Sequence, residues 1–166
     1  MLSALFVLFA QVLSPHDNIL VIGDSLACGS KWRANEVKKD NESLQWDCKV
    51  GSPIEFWSKN GAAKRALDAH PKTDSVIIFL GTNNYTNVKL PDVEPLLKEV
   101  RDRNLRCTWV GPTAVRGKKT ALNPLLKAAV EKTCKYVDAE DIPLGDGIHP
   151  TMDGWLTLLT KIWKVK

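Results

Sequence analysis

A serine hydroxyl attacks a carbonyl carbon only when a neighbouring base takes its proton. Ser25 stands in Gly23-Asp24-Ser25, directly after the apolar run Ile19-Leu20-Val21-Ile22. Three histidines are available as its base. His16 adjoins an apolar N-terminal stretch and His70 precedes Pro71, on the edge opposite the strand ends. His149 lies in Gly145-Asp146-Gly147-Ile148-His149-Pro150-Thr151, after the last apolar run and on the correct side. An imidazole base needs a group that fixes its tautomer and stabilises its cation. Asp146, three residues earlier in the same turn, has the reach to do so. The oxyanion formed by acyl attack also needs donors. The backbone N–H groups of Ser25 and Gly51 and the side-chain amide of Asn83 are the candidates. Plainer readings exist for each piece. Gly23-Asp24-Ser25 alone is a strand-to-helix corner. Asp146–Pro150 alone is a polar turn capping a final helix through Thr151. Asn83 alone is a turn residue.

The elements that must position these groups decide between the readings. Five β-branched or apolar runs read as strands, at 18–23, 46–51, 75–81, 106–112 and 135–140. The run at 75–81 is continuously apolar, as expected of a strand covered on both faces. Helical patterns fall between them, at 53–69, 91–104, 120–133 and 151–164, with Gly61 weakening the first. The polar stretch 31–45 reads as either a helix or a long loop. Such alternation implies right-handed crossovers and a parallel sheet with helices on both faces. Ligands of such sheets bind beyond the carboxyl ends of the strands. Gly23, Gly51, Gly81 and Gly111 stand at four of those ends, which points to a crevice lined by Ser25, Gly51, Asn83 and His149.

A chain of 166 residues with 44% hydrophobic and 25% charged residues is ordinary for one soluble domain. The net charge of +4 is spread without a long basic block, so nucleic acid is not an expected partner. The first 14 residues carry no charged side chain. Their apolar run falls short of the roughly 20 residues that span a bilayer, and no stable membrane span is expected. Residues 1–16 read as a signal peptide, with an N-terminal helix packed on the domain as the alternative. Residues 17–166 form the single domain. Four cysteines, Cys28, Cys48, Cys107 and Cys134, suit an exported protein, secreted or periplasmic. They form no Cys-x-x-Cys pair, so no metal is expected, and they allow three pairings. No Gly-x-Gly-x-x-Gly or phosphate-loop pattern supports a nucleotide binder.

Gly23-Asp24-Ser25-Leu26, Gly51, Gly81-Thr82-Asn83 and Asp146-Gly147-Ile148-His149-Pro150 resemble, in order and approximate spacing, the four blocks of the SGNH (GDSL-type) hydrolases. The resemblance implies a flavodoxin-like three-layer α/β/α sandwich with a five-stranded parallel sheet, and serine esterase chemistry without a cofactor. It assigns Ser25 as nucleophile, His149 as base and Asp146 as its partner. It assigns Ser25 N–H, Gly51 and Asn83 to the oxyanion hole. Asn84 departs from the family pattern, which often has Asp there as a support for the loop. The chain is also short for the family, which argues against elaborate lids. The fold so implied favours Cys28–Cys48 and Cys107–Cys134, against four free buried thiols. The expected substrate is a short acyl ester, such as an O-acetyl group on an extracellular glycan, cleaved by a monomer. A lysophospholipase or thioesterase, and a carbohydrate-binding module with a decayed site, are the alternatives. Trp57 and Trp155 would either border the site or pack in the core. Sequons occur at Asn41 and Asn84; a glycan on Asn84 would crowd the oxyanion loop, so that one reads as unused.

Overall fold

The computed structural model describes residues 17–86 and 89–166. The expected leader at 1–16, His16 included, lies outside the described residues. Five strands, β1 (Asp17–Gly23), β2 (Glu42–Cys48), β3 (Ser75–Phe79), β4 (Arg106–Thr113) and β5 (Lys135–Ala139), form one all-parallel sheet in the order β2-β1-β3-β4-β5. This is the flavodoxin-like order, and its chain reversal falls beside β1. The central strands alternate their side chains between two apolar layers. Leu20 and Ile22 of β1 and Val76 and Ile78 of β3 face one layer. Ile19, Val21, Ile77 and Phe79 face the other.

Helices α2 (Ile54–Ser58), α3 (Ala62–Ala69), α4 (Glu94–Asp102) and α5 (Leu122–Val130) cover the first layer through Trp57, Leu67, Leu96, Leu97, Leu122 and Leu126. Helices α1 (Ser25–Ser30) and α6 (Met152–Val165) cover the second through Leu26, Trp155, Leu158 and Ile162. Trp57 and Trp155 are therefore core residues, 1% and 5% exposed, and border no open crevice. Among the described residues no helix is long and apolar enough to cross a membrane.

Three expectations need correction. The second strand runs from Glu42 to Cys48, so it begins inside the polar stretch that offered no apolar signal. It is an edge strand and most of its residues are only half-buried, which removes the need for a continuous apolar run. The helical stretch 53–69 divides into α2 and α3, because Gly61 takes a left-handed φ of +66° that a continuing helix forbids. The strand expected at 75–81 ends at Phe79, which leaves Leu80 and Gly81 to lead into a short 3-10 turn over Thr82–Asn84.

Two disulfides tie the layers to the sheet. Cys28 of α1 bonds Cys48 at the end of β2, and Cys107 of β4 bonds Cys134 just before β5. Two such crosslinks fit an extracellular or periplasmic protein.

Candidate active site

All the candidate groups sit at the carboxyl ends of the strands. β1 delivers Ser25 through a turn that only glycine can make. Gly23 has a φ of +142°, and a Cβ there would lie 2.1 Å from the carbonyl oxygen of Phe79. The Asp24 N–H donates to that same oxygen at 3.1 Å, which holds the turn against β3. Asp24 then caps α1, its Oδ1 accepting the Leu26 N–H at 2.9 Å. Ser25 is the first residue of the helix, where a backbone N–H has no intrahelical partner.

The loop after β5 brings His149 to the same point. His149 Nε2 lies 2.9 Å from Ser25 Oγ, and Nδ1 lies 2.7 Å from Asp146 Oδ2. The other oxygen of Asp146 accepts the N–H groups of Ile148 and His149 at 2.9 and 2.7 Å. The bond from the His149 ring and these two backbone donors hold Asp146 well below the usual carboxylate range. An ionised carboxylate only accepts, so Nδ1 carries the ring proton and Nε2 presents its lone pair to the serine hydroxyl. Neighbouring bonds brace the loop. Thr113 Oγ1 at the end of β4 donates to the Ile148 carbonyl at 2.8 Å, and the Gly145 N–H donates to the His149 carbonyl at 2.8 Å. Thr151 caps α6 by accepting the Gly154 N–H at 3.0 Å. The capping role that the plainer reading gave this turn is thus filled as well, by Thr151, while His149 faces Ser25.

Gly51 is exposed after β2 with a φ of +73°, and a Cβ there would meet nothing within 4 Å. Its loop is anchored one residue later, where the buried Trp57 Nε1 donates to Ser52 Oγ at 2.8 Å and Ser52 Oγ donates to the Lys49 carbonyl at 2.7 Å. Asn83 stands between this loop and the Gly23–Ser25 turn. Its amide nitrogen donates to Asp24 Oδ2 at 3.0 Å and to the Ser52 carbonyl at 3.2 Å. Both amide hydrogens are engaged in this arrangement, so donation to an oxyanion requires exchange of one bond, the longer one to Ser52 being the weaker.

Three contributors were not legible as such. Asp24 is fully buried, and desolvation pushes its carboxyl up to about 7 against the Leu26 N–H, the Asn83 amide and the nearby His149. Asn84, buried, accepts the Ile54 N–H at 2.9 Å and donates to Glu55 Oε2 at 2.9 Å. It so joins the loop after β3 to the start of α2, and its burial keeps the amide out of reach of a glycan. Thr113, at the end of β4, donates to the Ile148 carbonyl. The Asp in Gly-Asp-Ser was the one available signal for Asp24; Asn84 and Thr113 act through partners far away in sequence, which no local pattern reveals.

His70 caps α3 at the amino edge of the sheet, away from Ser25. Among the described residues no cluster of His, Cys, Asp or Glu could hold a metal ion. The molecule is thus a three-layer α/β/α protein with a serine, an imidazole and a carboxylate in hydrogen-bonded sequence at the carboxyl edge of its sheet. Comparison with solved structures refines that class. A member of the lipolytic G-D-S-L family from Veillonella parvula superposes with a TM-score of 0.65 at 15% identity, over 89% of this chain and 97% of that one. The psychrotrophic esterase EstA from Pseudoalteromonas gives 0.61 at 17% identity, over 89% and 95%. An acetyl xylan esterase gives 0.64 at 13% identity, over 89% and 98%. No family model and no curated protein matches the sequence. At these identities the likeness is one of fold, and the chain has the fold of the G-D-S-L lipolytic proteins.

Proposed function

We propose that this protein is a serine carboxylic ester hydrolase that works through an acyl-enzyme on Ser25. The observation that carries the reading is the continuous contact from Asp146 through His149 to Ser25, at 2.7 and 2.9 Å. His149 Nε2 takes the Ser25 proton as Oγ attacks the ester carbonyl. The tetrahedral oxyanion is met by the N–H groups of Ser25 and Gly51 and by Asn83, once Asn83 lets go of Ser52. The imidazolium, stabilised by Asp146, protonates the leaving alcohol. A water activated by His149 then releases the acid and restores the serine.

The acyl group is short, acetyl in the simplest case, and the alcohol is part of a glycan. Tyr85, 47% exposed directly after Asn84, offers a face for a sugar ring beside the oxyanion loop. The acetyl xylan esterase among the structural neighbours supports the same reading. The two disulfides support export to an oxidising compartment, with residues 17–166 as the working domain.

Labelling with a fluorophosphonate probe and turnover of p-nitrophenyl esters of rising chain length test the proposal. The native protein should label and should turn over acetate and butyrate esters best, and Ser25→Ala should do neither while keeping its fold. Equal turnover by folded Ser25→Ala would overturn the mechanism. A preference for long acyl chains would instead favour a lysophospholipase or thioesterase, and a folded native protein that neither labels nor turns over would be a binding module.

A further inference from the structure

The hairpin that follows β4 places one charge against the catalytic loop. Val115 and Lys118 pair across a two-residue tip formed by Arg116 and Gly117, with φ values of +51° and +76°. A two-residue hairpin turn of this kind requires positive φ at both central residues, and the Lys118 N–H closes it on the Val115 carbonyl at 3.0 Å. The tip is also tied from outside the hairpin. The Arg116 N–H donates to the Gly147 carbonyl at 2.6 Å, between Asp146 and His149. The Arg116 side chain starts along the same glycine, since a Cβ on Gly147 would lie 3.6 Å from Arg116 Cγ.

The guanidinium itself is unspent. The chain has six arginines. Arg33 pairs with Glu36, Arg101 with Glu94, Arg103 with Asp68 and Glu99, and Arg106 with Asp17, while Arg65 donates to the Asn60 carbonyl. Arg116 is exposed, and among the described residues its guanidinium has no partner. The carboxylates of the loop after β5 are committed elsewhere: Asp146 serves His149, and Asp141 and Glu140 face Lys119. Lys118, the other leg of the hairpin, is exposed without a carboxylate and adds to the positive field.

We propose that Arg116 is a specificity-determining residue that binds an anionic group, carboxylate or phosphate, on the alcohol part of the ester. This rests on the esterase reading above. His149 must protonate the leaving alcohol, so that part of the substrate leaves past the His149 loop, where Arg116 is held. A guanidinium recognises a carboxylate or phosphate through two parallel N–H donors. An ester on an acidic glycan has the required chemistry: an acyl carbon at Ser25 and a negative charge on the alcohol side.

The test compares 4-acetoxybenzoate with the neutral 4-acetoxybenzamide, for the native protein and for Arg116→Asn, Arg116→Glu and Arg116→Lys. Asn tolerates the left-handed backbone, so the hairpin persists. The ratio of kcat/KM for the anionic over the neutral ester should fall about three- to fivefold in Arg116→Asn, the scale of an exposed ion pair. It should fall further in Arg116→Glu and be only partly retained in Arg116→Lys, which keeps the charge without the paired donors. The preference should shrink in high salt. Turnover of the neutral ester should stay unchanged. 4-Acetoxyphenyl phosphate separates a phosphate from a carboxylate, and a gain with either supports the proposal. A pair with the charge on the acyl side, mono-4-nitrophenyl succinate against 4-nitrophenyl butyrate, should be indifferent to Arg116. An unchanged ratio in Arg116→Asn with intact neutral turnover would overturn the role of Arg116 alone. An effect confined to the acyl-side pair would overturn it too. A native protein without Ser25-dependent turnover of the neutral ester would overturn the esterase reading and this one together.

Discussion

The two edges of the sheet use charge in opposite ways. At the amino edge Lys166 lies with its side chain only 7% exposed between Asp17 and Glu42, at 2.8 and 2.6 Å. Trp163 Nε1 donates to Glu42 at 2.7 Å, Ser75 Oγ donates to Asp17 at 3.1 Å, and Arg106 pairs with Asp17 from outside. Burial pushes Glu42 up, but the bonds from Lys166, Trp163 and the Lys39 N–H prevail and lower it. Every polar group named there is answered by another, and the cluster fastens α6 to β1 and β2. At the carboxyl edge the side chains of His149 and Asp146 are 40% and 60% exposed, and Ser25 Oγ meets a base where a substrate can reach it. A closed network of charges contributes to folding; an open one leaves valence for a ligand. The difference explains why the buried cluster with the stronger contacts is the less promising place for chemistry.

The sharpest way to break this contrast is to remove one group from each edge. His149→Ala should lower kcat by a factor on the order of 10⁴ or more, the scale of removing the base from such a relay, and leave the unfolding transition almost unmoved. Lys166→Met should do the reverse. It leaves Glu42 without a cation in a buried site, Asp17 keeping Arg106, and should cost about 3 kcal/mol in urea unfolding, with unchanged turnover per folded molecule. A large loss of kcat in Lys166→Met, or severe unfolding of His149→Ala, would dissolve the division between the edges.

The pH response separates the edges next. Asp24 is raised from its ordinary 3.8 to about 7. Folding therefore favours its protonated form. The stability so contributed is complete below about pH 4 and is lost as pH rises through 7. Glu42 is lowered, so its contribution is present above the ordinary carboxylate range and is lost as pH falls through its folded value. Asp24→Asn keeps a capping oxygen for Leu26 and removes the titration. Its thermal stability should fall less than that of the native protein between pH 5 and 8, while the loss in acid persists in both. Parallel profiles across the neutral range would show that Asp24 does not titrate there.

The sequence disclosed the parts of the molecule whose signals are local. β1, β3 and β4 carry apolar runs because both of their faces are covered, while β5, the other edge strand, shows only through Tyr136, Val137 and Ala139. Ser25, Asp146 and His149 stood out because glycines and a proline frame them at strand ends. β2 was displaced because an edge strand with half-buried residues such as Ser43 and Gln45 needs no apolar run. Helix α1, six residues long with serine at both ends, is held by a cap and a disulfide more than by helical preference. Of the braces of the site, Thr113 on Ile148 and Asn84 on Glu55 are pairings across 35 and 29 positions, fixed only once the sheet is assembled, while Trp57 on Ser52 spans five.

The Asn84–Glu55 brace gives the smallest and most specific test, because it mixes the two strategies. It is a closed pair, like those at the amino edge, placed inside the open one. Asn84 uses its carbonyl for the Ile54 N–H and its amide for Glu55. An aspartate at 84 could still accept from Ile54, but it would set a second carboxylate against Glu55. Asn84→Asp should therefore cost about 2 kcal/mol in urea unfolding, the scale of a lost buried bond together with the repulsion of like charges. Glu55→Gln supplies the missing donor from the other side. The double variant Asn84→Asp with Glu55→Gln should recover most of the loss, with a coupling of about 1–2 kcal/mol across the cycle. Turnover should follow the same pattern, because Asn83 next door must keep its aim at Asp24 and Ser52. Strictly additive losses would mean that the two loops are held together by their packing, and that the choice of Asn over Asp at 84 owes nothing to Glu55.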